Sequence, residues 1–160
     1  MVVGRVAVWY SIYDMATTAK RVRPKFSETH LLGLRSQDSL RLAKQVESGL
    51  SFSSLEKLSK TTGIPLDVLR IPVRISQRTL TRRRAEKRLS PEESDRLVSL
   101  SRLLALAIDL FEGDVPGAIR WFTSPNRGLG YVAPVNAAAT AVGSREVENL
   151  IGRLEHGVFT

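Results

Sequence analysis

Seven cationic side chains fall within residues 74–88: Arg74, Arg78, Arg82, Arg83, Arg84, Lys87 and Arg88, with Glu86 as the one acid among them. So many like charges lack internal pairing and repel one another unless a polyanion lies opposite. A nucleic-acid backbone is such a polyanion, and binding it is driven by the release of its condensed counterions. The local sequence is Ile75-Ser76-Gln77-Arg78-Thr79-Leu80-Thr81-Arg82-Arg83-Arg84. Ser76 is a good helix N-cap, Leu80 is an apolar anchor, and Ala85 is a small packing position. Gln77, Arg78, Thr81, Arg82 and Arg84 are left to project outward. In the major groove arginine reads guanine and glutamine reads adenine with two hydrogen bonds each, and the free amides at a helix start suit a phosphate. The candidate DNA-contacting residues are therefore Ser76, Gln77, Arg78, Thr79, Thr81, Arg82, Arg83 and Lys87. Arg78 and Arg82 are expected to read bases, and Arg83 and Lys87 to touch phosphate.

A helix needs scaffolding to present such a face, and the flanking sequence supplies helical patterning from residue 36 onward. Ser36 or Asp38 can cap a helix to about Ser48, with Leu40, Leu42, Ala43 and Val46 as its apolar side and Gly49 at its end. Ser51 can cap a second, with Phe52, Leu55 and Leu58 on one face, closed by Gly63. Pro65 suits the first turn of a third helix bearing Leu66, Leu69 and Ile71, which Pro72 should end or kink. That helix, a short turn and the basic helix form a helix-turn-helix unit. Ser90-Pro91-Glu92-Glu93 then combines a cap, a first-turn proline and a capping-box glutamate. It should open a long helix with Leu97, Leu100, Leu104, Ala107, Ile108 and Phe111 at helical spacing, ending at Gly113. Asp114 can cap a short helix through Trp121, and Val135–Ala141 and Ser144–His156 complete the set, parted by Gly143. The predicted fold is all-α.

The net charge of +8 is unevenly distributed: residues 1–88 carry +11 and residues 89–160 carry −3. A basic first half and a mildly acidic second half point to two different partners. There is no cysteine, hence no disulfide framework and no thiolate metal site, which fits a reducing cytosol. No stretch approaches the roughly 20 apolar residues of a membrane span. Residues 1–26 read as a separate N-terminal extension with a basic end, Lys20-Arg21-Val22-Arg23-Pro24-Lys25. That extension is either a packed or loosely ordered tail or a phosphate-contacting arm, and Met15 is an alternative start. No signal-peptide cleavage site is evident in it. His30 and His156 are the only histidines. No metal-ligand cluster, P-loop, dinucleotide fingerprint or nucleophile elbow is present. Glu92, Glu93 and Asp95 are explained by a helix dipole without catalysis. The expectation is a non-enzyme with no cofactor and no metal.

Two further stretches carry a resemblance. Arg78-Thr79-Leu80-Thr81-Arg82-Arg83 followed by Arg88-Leu89-Ser90-Pro91-Glu92-Glu93-Ser94 resembles the Xre-type helix-turn-helix pattern. Ile119-Arg120-Trp121-Phe122-Thr123-Ser124-Pro125-Asn126-Arg127-Gly128-Leu129-Gly130, then Pro134, Gly143 and Val147 to Val158, resembles the C-terminal toxin-binding domain of the Xre/MbcA/ParS antitoxins. Together they cover residues from about 36 to 160. The resemblance implies a helix-turn-helix domain at 27–90, a connecting helix at 91–112 and a small helical toxin-binding domain at 113–160. It implies an antitoxin that neutralises a cognate toxin, of the RES-domain, NAD-consuming kind, and represses its own operon as a homodimer on operator DNA. The implied toxin-contacting residues are Asn126, Arg153, Glu155, His156, Gly157, Val158, Phe159 and Thr160, the last few entering the toxin's active site. The alternative is a helix-turn-helix regulator whose C-terminal domain serves only oligomerisation or ligand sensing. Three departures from the family pattern stand out. Arg74 replaces the turn glycine, so either the turn differs or Arg74 is left-handed. Tyr131 stands where a second glycine is expected, and Asn136-Ala137-Ala138 replaces a leucine-rich pair; both bear on which toxin is recognised and how tightly.

Overall fold

The computed structural model describes residues 27–35 and 38–157. The N-terminal extension, Ser36 as a cap, and Val158, Phe159 and Thr160 lie outside the described residues. Among the described residues nine α-helices follow in order: α1 (Glu28–Leu31), α2 (Ser39–Ser48), α3 (Phe52–Thr62), α4 (Leu66–Val73), α5 (Gln77–Glu86), α6 (Pro91–Leu110), α7 (Val115–Thr123), α8 (Pro134–Ala137) and α9 (Ala141–Glu155), with a 3₁₀ turn at Arg127–Leu129. Among the described residues there is no strand, only isolated bridges pairing Ser51 with Arg88 and Asn126 with Val132. The all-α expectation holds.

Side-chain caps set most of the starts. The side chains of Asp38, Ser51, Ser76, Asp114 and Thr140 each accept a hydrogen bond from a first-turn amide of α2, α3, α5, α7 and α9 respectively. Ser90 and Glu93 complete the capping box of α6. Helix α6 is the axis of the molecule. It packs against α1, α2 and α4 and also against α7 and α9, and Leu97, Leu104, Ala107 and Ile108 are completely buried along it. The buried apolar residues form one continuous cluster from Leu31 through Leu55, Leu69, Val73 and Leu104 to Phe122, Val147 and Ile151. Both halves of the chain thus share a core.

Several elements differ from the sequence reading. Helix α1 was not foreseen; it is a single turn held by Ser27, and it buries Leu31 and Leu32. The apolar side of α2 is largely uncovered: the helix has no buried residue and Leu40 is 76% exposed. Ile71 points outward at 46% exposure, because Leu69, Pro72 and Val73 take the core side of α4. Pro72 sits inside the last turn of α4, which ends one residue later. Helix α8 is shorter than expected, and α9 starts at Ala141 and runs through Gly143. The Gly143 amide donates to Thr140 Oγ1 at 3.0 Å. A Cβ at Gly143 would drive into the Ala137 carbonyl oxygen, so this glycine permits close approach of α8 and α9 and does not break the helix.

Ser94, fully buried on α6, ties the halves of the helix-turn-helix region together. Its hydroxyl donates to the Ser90 carbonyl at 2.7 Å and accepts from the buried Leu50 amide at 2.8 Å. Ser94→Ala strands that amide, and the expected loss is about 1–3 kcal/mol of stability, measurable by denaturant unfolding. Asp109 lies in the last turn of α6, where the helix dipole disfavours an anion. Burial, and then the nearby Glu155 carboxylate, push its pKa above the usual aspartate value. The folded state therefore holds this proton more tightly than the unfolded chain does, and ionisation at neutral pH works against folding. Asp109→Asn should raise the melting temperature at pH 7, and that advantage should vanish as pH falls into the carboxylate range.

Candidate functional site

Helix α4, the turn Arg74-Ile75-Ser76 and α5 form the predicted helix-turn-helix. Arg74 ends α4 in the left-handed conformation, φ 60° and ψ 44°. Its amide donates to the Ile71 carbonyl at 3.0 Å, and the Ile75 amide reaches back to the Arg70 carbonyl at 2.9 Å. This is the Schellman closure usually made with glycine, and Ile75 buries itself beneath it. Of the two readings left open by the missing glycine, the left-handed one is found.

Ser76 then caps α5: its Oγ accepts from the Thr79 amide at 3.1 Å and lies 2.9 Å from Thr79 Oγ1. Leu80 is buried at 5% exposure and anchors the helix. Gln77, Arg78, Thr81 and Arg82 lie on the opposite, exposed side, one face by the three- and four-residue spacing of a helix, and Ala85, expected to pack, is exposed there too. Thr81 Oγ1 donates to the Gln77 carbonyl at 3.2 Å. Lys87 closes the helix, again left-handed at φ 57°. Arg74 and Lys87 thus bracket α5, each exposed and each in a conformation that usually takes glycine. The sequence reading counted Arg74 in the basic cluster but not among the candidate DNA contacts. Its exposure beside the cap of α5 makes it a further candidate phosphate contact.

The expectation that these cations lack internal pairing is corrected by the fold. Arg83 is turned inward, its side chain 19% exposed, with Nε donating to Glu93 Oε2 at 2.7 Å and Nη1 to Glu86 Oε2 at 2.8 Å. The hydrogen bond to Glu93, then that to Glu86, raises its already high pKa. Arg82 lies 3.7 Å from Glu86. Arg84 lies 3.7 Å from Glu56 of α3, with its guanidinium 5.5 Å from the Phe52 ring centroid, a cation–π distance. The partners Glu56 and Glu93 lie far off in sequence, so spacing alone did not reveal them. Arg78 has no ion-pair partner among the described residues, and Arg82 stays 60% exposed at the edge of its pair.

The second group of predicted residues sits in the C-terminal half. Asn126 is half-buried and works within its own loop, its Oδ1 accepting from the Gly128 amide at 2.9 Å. Arg153 is half-buried near the end of α9, and Glu155, His156 and Gly157 are exposed where the helix stops. Arg102 of α6 and Glu148 of α9 form an ion pair that fixes α9 along the long helix. Asn126 and the end of α9 are distinct parts of this half. They are linked through Leu150, which the Gly128 backbone touches so closely that an added Cβ would meet Leu150 Cδ1 at 2.7 Å.

Comparison with known proteins matches both halves. Residues 41–102 match the model of the antitoxin Xre-like helix-turn-helix domain, and residues 106–157 match that of the antitoxin Xre/MbcA/ParS C-terminal toxin-binding domain. Antitoxin Xre of Yersinia enterocolitica is 37% identical over 145 residues, covering 90% of this chain and 96% of the relative. Antitoxin Xre of Photorhabdus laumondii is 36% identical over 131 residues, covering 81% and 88% respectively.

The left-handed Arg74 yields a prediction with opposite signs on two readouts. Arg74→Gly removes the steric cost of the conformation, partly offset by glycine's greater unfolded freedom, and should stabilise the fold by about 0.5–1 kcal/mol. If Arg74 touches a phosphate, the same change should weaken DNA binding and reduce its salt-dependence slope by about one. Thermal melts and DNA titrations across salt concentrations check both.

Proposed function

The chain belongs to the Xre antitoxin family, and from that premise we propose that it neutralises a RES-domain, NAD-consuming toxin encoded beside it and represses its own operon. The family gives an antitoxin with a DNA-binding half and a toxin-binding half, and not an enzyme. The observation that carries the DNA-binding part is the exposed face of Gln77, Arg78, Thr81 and Arg82 on a helix clamped to α6, which itself runs on into the toxin-binding half. A rigid mount of this kind lets an α-helix enter a major groove in fixed register while phosphate contacts from Ser76, Thr79 and Lys87 set its position. Arg83 contributes there chiefly by holding α5 in place. Repression requires a homodimer, because paired recognition helices read half-sites about 34 Å apart. Neutralisation uses Asn126, Arg153, Glu155, His156, Gly157 and the terminal Val158, Phe159 and Thr160. On this reading the complex works in the cytoplasm.

Reciprocal variants test the division of labour. Arg78→Ala and Arg82→Ala should each cost about 1–3 kcal/mol of operator binding and leave toxin inhibition intact. Deleting Val158–Thr160 should do the reverse. Mobility shifts and toxin assays on the same preparations decide the matter: unchanged operator affinity in the double arginine variant would rule out α5 as the recognition helix. Full inhibition by the truncated protein would rule out the terminal residues as the inhibitory element.

A further inference from the structure

The loop before α8 carries a feature that neither DNA binding nor a terminal plug uses. Tyr131 is a non-glycine residue in the left-handed region, φ 65°, directly after Gly130 at φ 62°. Its side chain is 72% exposed, and no polar partner engages it among the described residues. A bulky residue in this conformation is disfavoured, and here the disfavoured backbone gains no internal packing in return. Strain of this kind persists where the surroundings impose it and where it serves a function.

The surroundings do impose it. Asn126 closes the loop from both sides: its amide donates to the Val132 carbonyl at 3.2 Å, and its carbonyl accepts from the Tyr131 amide at 2.8 Å and the Leu129 amide at 3.1 Å. Its side chain holds the Gly128 amide at 2.9 Å, and Gly128 rests on Leu150 of α9. Val132 follows Tyr131 at 44% exposure, and Val142, on the first turn of α9, is 75% exposed. Residues 133–141, with the four-residue α8 among them, separate Val132 from Val142, and Gly143 brings the start of α9 against the end of α8. All three apolar side chains lie within residues 106–157.

We propose that Tyr131, flanked by Val132 and Val142, is the apolar anchor of the toxin contact and a determinant of which toxin this chain accepts. The proposal rests on the toxin-binding reading above and adds an apolar anchor to the loop that already contributes Asn126 to it. The partner surface it fits is an apolar cleft that takes one aromatic ring and offers a hydrogen-bonding group to the phenol. Tyrosines held rigidly on a closed loop lose little freedom on binding, and buried interface tyrosines are frequent hot spots.

The test is calorimetry of the full-length chain against a catalytically dead form of the adjacent-gene toxin. Tyr131→Gly suits the left-handed backbone, so its melting temperature should equal or exceed that of the wild type, and its operator binding should be unchanged. Its affinity for toxin should fall by about 30-fold or more. Val142→Ser, at an exposed helix position, should weaken binding in the same direction. Toxin affinity within about threefold of wild type for both variants would overturn the proposal while leaving the toxin-binding reading intact. Failure of the wild type itself to bind the toxin would overturn that reading and this proposal with it.

Discussion

Glu93 Oε2 is the atom on which the arrangement turns. It accepts from the Ser90 amide at 2.8 Å, closing the capping box of α6, and from Arg83 Nε at 2.7 Å, holding α5. The carboxylate is nearly buried, its side chain 10% exposed, so each bond is made in a setting where water competes poorly. One residue thus starts the long helix and fixes the orientation of the basic helix relative to it. Since α6 also carries α7 and α9, the pose of the exposed basic face and that of the C-terminal half are set by the same anchor.

The charge on α5 divides into two uses that composition cannot distinguish. Arg83 and Arg84 fasten the helix to Glu93, Glu86, Glu56 and Phe52. Arg78 and the outer part of Arg82 face solvent. A surface ion pair such as that of Arg82 contributes little to stability and is readily given up for a phosphate, whereas Arg83 is committed to its partners. On the proposed reading, a helix fastened in this way meets DNA already oriented, which lowers the entropy lost on binding.

Three of the four strained backbone positions coincide with the proposed contacts. Arg74, Lys87, Glu112 and Tyr131 are non-glycine residues at positive φ. Two bracket α5, and a third crowns the loop beside α8. Glycine would be easier at each, so a side chain there offers something glycine cannot: a cation at either end of the basic helix, an aromatic ring on the closed loop. Glu112 lies in the turn between α6 and α7, and nothing in the structure explains its side chain.

Much was legible in the sequence because caps and periodicity are local. Ser51, Ser76, Ser90-Pro91 and Asp114 start helices through bonds to their own first turns, and Leu80, Leu97, Leu104 and Ile108 follow the helical repeat that buries them. The basic face was legible for the same reason, as a short run with a distinctive residue order. What required the tertiary structure was every decision between surfaces. The repeat in α2 predicted a buried side, yet Leu40 remains exposed, because whether an apolar face is covered depends on the neighbours it meets. Gly143 read as a break and proved to be a contact point, since only the position of Ala137 distinguishes the two. Arg83 read as a free cation because its partner Glu93 lies across a turn and on another helix. Local chemistry is written in neighbouring residues; pairing and burial are properties of distances in space, and the sequence states those only after the chain has folded.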